Sequence, residues 1–314
     1  MITRFLLVLA VSGALVAQIR VGIIGTDTSH VPAFTKMMND STAASYIAGV
    51  RVVAAYKGGS KDLESSISRV DQYANEIATK YGVEIVPDIA TLLTKVDAVL
   101  LESLDGRAHL EQAKLVIAAG KILFIDKPLA ASYEDAREIA LLAKTKGVPW
   151  FSASSLRWSE ITGKMKFDDA RSVITWGPGP QDATHDKLDL SWYAIHPIEI
   201  LYTLLGPGCE EVSRIETADG DVITGRWKGG RTGVVQTLKP YGGYGAVVFR
   251  KGGKVVQSPE KPKTGYEDLV KQIVKFFETK QPPVPNEVTL EIFAFMDAAQ
   301  RSKQAGGALV KLRP

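Results

Sequence analysis

The stretch Ile19-Arg-Val-Gly-Ile-Ile-Gly25-Thr-Asp-Thr-Ser-His30 decides how the chain folds. Its apolar residues run on without alternating, as in a strand buried on both faces of a parallel sheet. Gly25 then stands where the first glycine of a dinucleotide-binding loop belongs. There a tight turn brings backbone amides at a helix N-terminus up to a pyrophosphate. The later glycine positions hold Asp27 and His30, so one position of three is matched. An aspartate beside a pyrophosphate is repulsive unless its carboxylate points away or caps the helix expected over Val31–Met38. Thr28 or Ser29 would then donate to phosphate. Simple N-capping by Asp27–Ser29 is the alternative, and one residue can do both.

Outward from this stretch, short apolar runs alternate with helical patterns. The runs are Val50–Tyr56, Val83–Val86, Ala98–Leu101, Ile122–Ile125 and Trp150–Phe151. Between them helices are predicted over Leu63–Tyr81, Ala108–Ala119 and Tyr133–Lys146. Gly82, Gly120 and Gly147 supply the left-handed closing residue, and Ser132 ahead of Glu134 and Asp135 opens the third helix. Strand–helix alternation of this kind predicts a doubly wound parallel Rossmann sheet.

Beyond Leu156 the pattern changes. Strand candidates follow one another at Ser172–Trp176, Glu211–Thr217, Val222–Trp227, Gly233–Leu238, Ala246–Arg250 and Val255–Gln257, separated by glycine-rich turns. They predict an α+β domain with an open antiparallel sheet. A helix over Ala194–Leu205 is stopped by Gly206-Pro207. Two more, Tyr266–Thr279 and Glu287–Gln304 with Asn286 as cap, carry apolar spacings suited to packing on that sheet. The domain division is therefore 18–156 and 157–314.

Residues 1–17 have the order of a secretory signal: Arg4, the apolar run Phe5–Val11, then small residues to Ala17. Cleavage after Ala17, or after Ala14, would leave an exported protein. A buried N-terminal strand or an overlong gene start is the other reading. The apolar stretch is too short to span a bilayer comfortably. In 314 residues, 45% are hydrophobic and 23% charged, with a formal net charge of +3. This is the balance of a globular protein, and without a basic tract it argues against a nucleic-acid partner. One cysteine, Cys209, excludes an intrachain disulfide and any multi-cysteine zinc site. His30 and His185 show no metal-ligand spacing with the acids around them, so no metal is expected.

Ligands of an open parallel sheet bind outside the carboxyl ends of its strands. Two stretches fall there: Leu101-Glu-Ser-Leu-Asp-Gly-Arg-Ala-His109 after strand four, and Ile125-Asp126-Lys127-Pro128 after strand five. A lysine there can hydrogen-bond a substrate hydroxyl and stabilise a developing alkoxide. After strand two, Tyr56-Lys-Gly-Gly-Ser60-Lys61 has no acid before Asp62. That favours the 2′-phosphate of NADP, through Lys57, Ser60 and Lys61, over the ribose hydroxyls of NAD; a solvated loop is the alternative. Ser152, Ser154 and Ser155 lack the Gly-x-Ser-x-Gly elbow of a serine nucleophile. Trp176, Trp192 and Trp227 suit either stacking on a sugar ring or core packing.

In order and spacing these parts resemble the glucose–fructose oxidoreductase / inositol dehydrogenase (Gfo/Idh/MocA) family over nearly the whole chain after residue 17. Asp126-Lys127-Pro128 stands for the family's Glu-Lys-Pro. His109 matches the histidine that opens the helix after strand four, and Arg157 the arginine after strand six. Tyr193-Ala-Ile-His196-Pro-Ile-Glu199, followed by Gly206, matches the helix bearing the catalytic histidine. The resemblance implies reversible oxidation of a secondary hydroxyl on a sugar, polyol or glycoside, with NAD or NADP as cofactor. It implies cofactor contacts from Gly25, Thr26, Thr28, Ser29, Lys57, Ser60, Ser103, His109, Asp126 and Lys127. Lys127 and His196 would be the catalytic pair, and Arg157, Trp192 and His196 would face substrate. Homodimers or tetramers through the open sheet are common in the family. One departure concerns the helix: where many members carry an aspartate four residues before the histidine, this chain has Trp192. Glu199 is then the candidate to orient His196, with a place in the domain core or interface as its alternative. A non-catalytic carbohydrate-binding descendant of the fold is the rival reading.

Overall fold

The computed structural model describes residues 18–179 and 188–313. The segment 1–17, with its expected export signal, and His185 lie outside the described residues.

The first domain is a six-stranded parallel sheet in the order β3-β2-β1-β4-β5-β6. Its strands are β1 (Ile19–Ile24), β2 (Val50–Tyr56), β3 (Glu84–Val86), β4 (Ala98–Leu101), β5 (Ile122–Ile125) and β6 (Trp150–Phe151). β4 and β5 are buried at every residue, which is why their sequences are unbroken apolar runs. The helices between them are α1 (His30–Asn39), α2 (Glu64–Ile67), α3 (Val70–Tyr81), α4 (Ile89–Lys95), α5 (His109–Ala118) and α6 (Tyr133–Lys146). Helix α6 opens and closes as its sequence predicts. Ser132 Oγ accepts the Asp135 amide at 3.0 Å, and Gly147 ends it in the left-handed conformation. The long helix expected over Leu63–Tyr81 is two helices. Ser66, in the first of them, is buried and its hydroxyl is bonded to Asp27, so this turn serves the loops above the sheet rather than the helix.

The second domain follows α7 (Glu160–Met165). It contains β7 (Ala170–Pro178), α8 (Ile195–Leu205), β8 (Cys209–Thr217), β9 (Gly220–Trp227), β10 (Arg231–Leu238), β11 (Gly245–Arg250), β12 (Val255–Gln257), α9 (Glu267–Thr279), α10 (Asn286–Gln304) and β13 (Val310–Lys311). The sheet order is β12-β11-β7-β10-β9-β8-β13. It is mixed, not purely antiparallel, because β10 pairs with β7 in parallel. A parallel pair needs a crossover; here the chain between β7 and β10 includes α8 and the β8–β9 hairpin. Trp227 is a core residue under this sheet, 1% exposed.

Two expectations for the last helices are corrected. Helix α9 packs on the first domain, not on the second sheet. Leu269, Ile273, Phe276 and Phe277 join one core cluster with Val21, Ile23, Phe34, Phe124 and Phe151, and the Phe151 and Phe276 rings meet at 4.9 Å. A parallel sheet must be covered on both faces, and α9 completes that cover beside α1. Helix α10 does lie along β8, but Pro285 rather than Asn286 occupies its N-cap position.

Candidate active site

The carboxyl ends of β1 and β5 and the start of α8 meet around a cleft of about 280 Å³. From the first domain it is lined by Thr28, Ser29, His30, Asp126 and Lys127, and from the second by Tyr193, His196, Tyr241 and Tyr244. The fold thus brings the two expected catalytic residues, Lys127 and His196, to one cleft from opposite domains. The Lys127 ammonium stands 5.6 Å from the centre of the Tyr193 ring. Burial pushes its pKa down, opposed by the negative charge of Asp126 and Glu102.

Asp126 itself is buried, and its Oδ2 lies 2.6 Å from His30 Nδ1. Glu102, directly after β4, is wholly buried, and neither carboxylate oxygen has a hydrogen-bond partner among the described residues. Burial, then the neighbouring Asp126, pushes its pKa well above the usual carboxylate range. His30, Glu102 and Asp126 bring one potential ligand atom each within 4.8 Å of one another. No sequence spacing announced this set, since its members lie 72 or more residues from His30 and come from three different strand ends. An acid directly after a buried strand was the one available signal for Glu102.

His196 Nδ1 lies 2.6 Å from Ser154 Oγ, not on Glu199. Burial, followed by the Lys127 and His30 charges, pushes its pKa well below the usual histidine range. Glu199 takes the Arg157 guanidinium, with Nε at 2.6 Å, and the Ser154 amide at 3.4 Å. The geometry bears on three expected roles. Glu199 holds the Ser154–Arg157 turn and reaches His196 only through Ser154. Arg157 is consumed by that ion pair and does not line the cleft. Trp192 is buried edge-on to Tyr193, also outside the cleft lining. Glu199→Ala would strand Arg157, whose side chain is only 11% exposed. We expect a loss of about 3 kcal/mol in stability, read from urea unfolding; an unchanged midpoint would refute the pairing.

The cofactor candidates divide into two groups. Thr28, Ser29, Asp126 and Lys127 face the cleft. The rest are engaged with protein. Gly25 is required as expected: its φ is +89°, and a Cβ would come within 2.4 Å of the Ser103 backbone. Thr26 Oγ1 donates to Val70 O at 2.8 Å, and Ser103 Oγ to Gln112 at 2.8 Å. His109 is wholly buried, with its ring nitrogens 2.8 and 3.3 Å from the Ser103 and Leu129 carbonyls. It shapes the strand-four loop from beneath. Lys57 pairs with Asp71 at 2.8 Å, and Ser60 Oγ with Asp105 at 2.5 Å.

Asp27 lies at the centre of this second group. It is 0% exposed. Its Oδ1 accepts the Leu104 amide at 3.0 Å and its Oδ2 the Ser66 hydroxyl at 2.6 Å. It does not cap α1, whose His30 amide goes to Thr28 Oγ1 at 3.0 Å; its carboxylate points into the protein instead. Above it Arg107 ties Asp105 to Asp62, with bonds of 2.7 to 3.0 Å. The loops after β2 and β4 are thus clasped across the loop after β1, along the path a dinucleotide takes in this fold. The cleft beside it is smaller than the ~300–1,000 Å³ of ordinary small-molecule sites.

Residues 19–154 match the Gfo/Idh/MocA family, an oxidoreductase family with an NAD-binding Rossmann fold. The match covers the first domain. A 1,5-anhydro-D-fructose reductase of Ensifer adhaerens is 34% identical over 108 residues, which are 33% of this chain and 32% of that protein. The chain thus aligns with about a third of that relative's length. Among solved structures, GenD2 from gentamicin A biosynthesis, in complex with NAD, has a TM-score of 0.74 at 16% identity, covering 98% of this chain and 100% of that one. The myo-inositol dehydrogenase of Lactobacillus casei, with NAD(H) and myo-inositol, has a TM-score of 0.73 at 19% identity, covering 95% and 98%. At these identities the likeness is one of fold, and it extends through both domains.

Proposed function

We propose that the chain is an oxidoreductase acting on a CH–OH carbon of a sugar, polyol or glycoside. The observation that carries this is the convergence of Lys127 and His196 on one polar, tyrosine-walled cleft. Lys127 donates to the reacting oxygen and stabilises charge that develops there. Tyr193, Tyr241 and Tyr244 offer hydroxyls and ring faces suited to a polyhydroxylated ligand. The relatives include an anhydrofructose reductase and an inositol dehydrogenase, which agrees with this substrate class. The nicotinamide dinucleotide of the family is the natural oxidant.

The clasp of the loops after β2 and β4 favours a second reading, a carbohydrate-binding descendant that has given up redox chemistry. One experiment separates the two. Protein is purified, its extract searched for nicotinamide by mass spectrometry, and absorbance near that of reduced nicotinamide followed as sugars and polyols are added with NAD or NADP. Cofactor reduction supports the enzyme. Sugar binding without cofactor binding supports the descendant.

The preference for NADP is a finer proposal, since Lys57 and Ser60 already hold protein partners. Replacing Lys57 and Lys61 together by alanine is expected to weaken NADP more than NAD, by roughly 1.5–3 kcal/mol per charge-assisted contact. Equal loss for both, measured by titration calorimetry, would refute it. Export is likewise proposed, from the charge–apolar–small order of residues 1–17. N-terminal sequencing of protein from the native cell envelope is expected to start near Gln18; Met1 retained there would rule this out. A homodimer or tetramer through the open sheet is proposed by analogy with the family, to be read from light scattering.

A further inference from the structure

His30 stands where the third glycine of the phosphate loop belongs, and its ring forms one wall of the cleft. The ring is fixed on two sides. It stacks on Phe34 at 5.2 Å with 12° between planes, and meets the edge of Tyr266 at 4.6 Å. Its Nδ1 is 2.6 Å from Asp126 Oδ2. A carboxylate can only accept, so Nδ1 carries the proton and Nε2 is left with a lone pair. Among the described residues Nε2 has no hydrogen-bond partner.

His196 is placed the other way round. Ser154 Oγ accepts the Leu156 amide at 3.1 Å and lies 2.6 Å from His196 Nδ1, to which we assign its proton. An imidazole that accepts at Nδ1 carries its proton on Nε2 and is a donor there. The carboxylate missing from the helix position of Trp192 is thus present in the cleft after all, but on the first domain and behind a different histidine.

We propose that His30, held by Asp126, is the general base of this cleft, with His196 and Lys127 as the donors that hold the reacting oxygen. In the step, the O–H bond of a substrate hydroxyl breaks and its proton joins His30 Nε2. The electron pair stays on oxygen as an alkoxide facing Lys127 Nζ and His196 Nε2–H. Asp126 stays ionised and stabilises the imidazolium. The groups facing the ring are Asp126 and Lys127 from the end of β5, Glu102 from β4, His196 from α8 and Tyr266 ahead of α9. Glu102, whose pKa burial and Asp126 push well above the usual carboxylate range, lies 3.9 Å from the ring nitrogen that Asp126 holds at 2.6 Å. The same trio could instead hold a cation, but the geometry disfavours it. Two ligand atoms each about 2.0–2.1 Å from one tetrahedral zinc stand more than 3 Å apart, whereas Nδ1 and Oδ2 are at hydrogen-bond distance.

The assignment rests on the oxidoreductase reading only for turnover, so the test has an arm that needs no substrate. Nitrogen-15 spectra of the full chain, which has four histidines, are assigned with His30→Gln and His196→Gln. His30 is expected as the Nδ1–H tautomer in the parent, and Asp126→Asn is expected to abolish that preference. His196 is expected to remain the neutral Nε2–H tautomer from pH 6 to 8. On a turned-over sugar or polyol, His30→Gln is expected to lower kcat by about 10²–10⁴-fold. The proposal is overturned by an Nε2–H tautomer at His30, by titration of His196 near neutrality, by near-normal turnover of His30→Gln, or by stoichiometric zinc in the purified protein that Glu102→Gln removes. Expected tautomers with no sugar or polyol oxidised would count against the oxidoreductase reading alone.

Discussion

Replacing Lys127 by methionine is expected to lower turnover by about 10²–10⁴-fold and to leave folding intact. Methionine keeps the length and apolar stem of the lysine, and the burial that desolvates the ammonium costs a thioether nothing. What is lost is a lysine ammonium from a cleft that His30 and His196 also line. The pH dependence has a definite sign. Burial lowers the Lys127 pKa, and the charge on Asp126 raises it. A lysine that acts as the charged donor loses activity as pH rises through its pKa. Asp126→Asn removes the raising charge, so the alkaline limb of the kcat profile should move to lower pH. Turnover above about a tenth of the parent's in Lys127→Met, or an alkaline limb that moves upward in Asp126→Asn, would remove Lys127 from the chemistry.

The first domain was legible because each of its strands is a local apolar run, and the caps of α6 are local too. The failures share a physical cause: contacts that close over long separations. Helix α9 carries an apolar stripe that fits any apolar face, and nothing local says that it returns to the first sheet. The parallel β7–β10 pair depends on a crossover, not on either strand's own pattern. At the site, strand-end position points to Lys127, and the resemblance of Tyr193–Glu199 to the family's histidine-bearing helix points to His196; the fold places both on one cleft. Spacing on a helix gives direction but not partner: of the two readings of Glu199, a place in the domain core fits the Arg157 guanidinium 42 residues away that it holds. His30 was passed over because its carboxylate lies 96 residues further on. Asp27 was recognised as a conflict with phosphate, but the resolution required knowing that Ser66 and the Leu104 amide come to meet it.

Asp27→Gly is expected to tighten dinucleotide binding by at least about a hundredfold, measured by calorimetry with NAD, NADH, NADP and NADPH. A dinucleotide entering the parent protein must displace the Asp27 carboxylate from the Leu104 amide and the Ser66 hydroxyl. Hydrogen bonds to a charged group are worth roughly 1.5–3 kcal/mol each, and the freed carboxylate would then face the pyrophosphate's own negative charge. Glycine removes both costs and restores the close backbone approach that the second glycine provides in this fold. The loop should survive the change, because Ser66 Oγ also receives the Ser60 amide at 2.7 Å, and Arg107 still joins Asp62 to Asp105. Asp27→Asn is the control. It keeps the bulk and an oxygen for the Leu104 amide but loses the charge, so its gain should be smaller than that of glycine. A parent protein that already binds a dinucleotide tightly, and loses it on Asp27→Gly, would mean that the clasp closes around the cofactor rather than in its place. The Asp27 bonds would then hold the cofactor in.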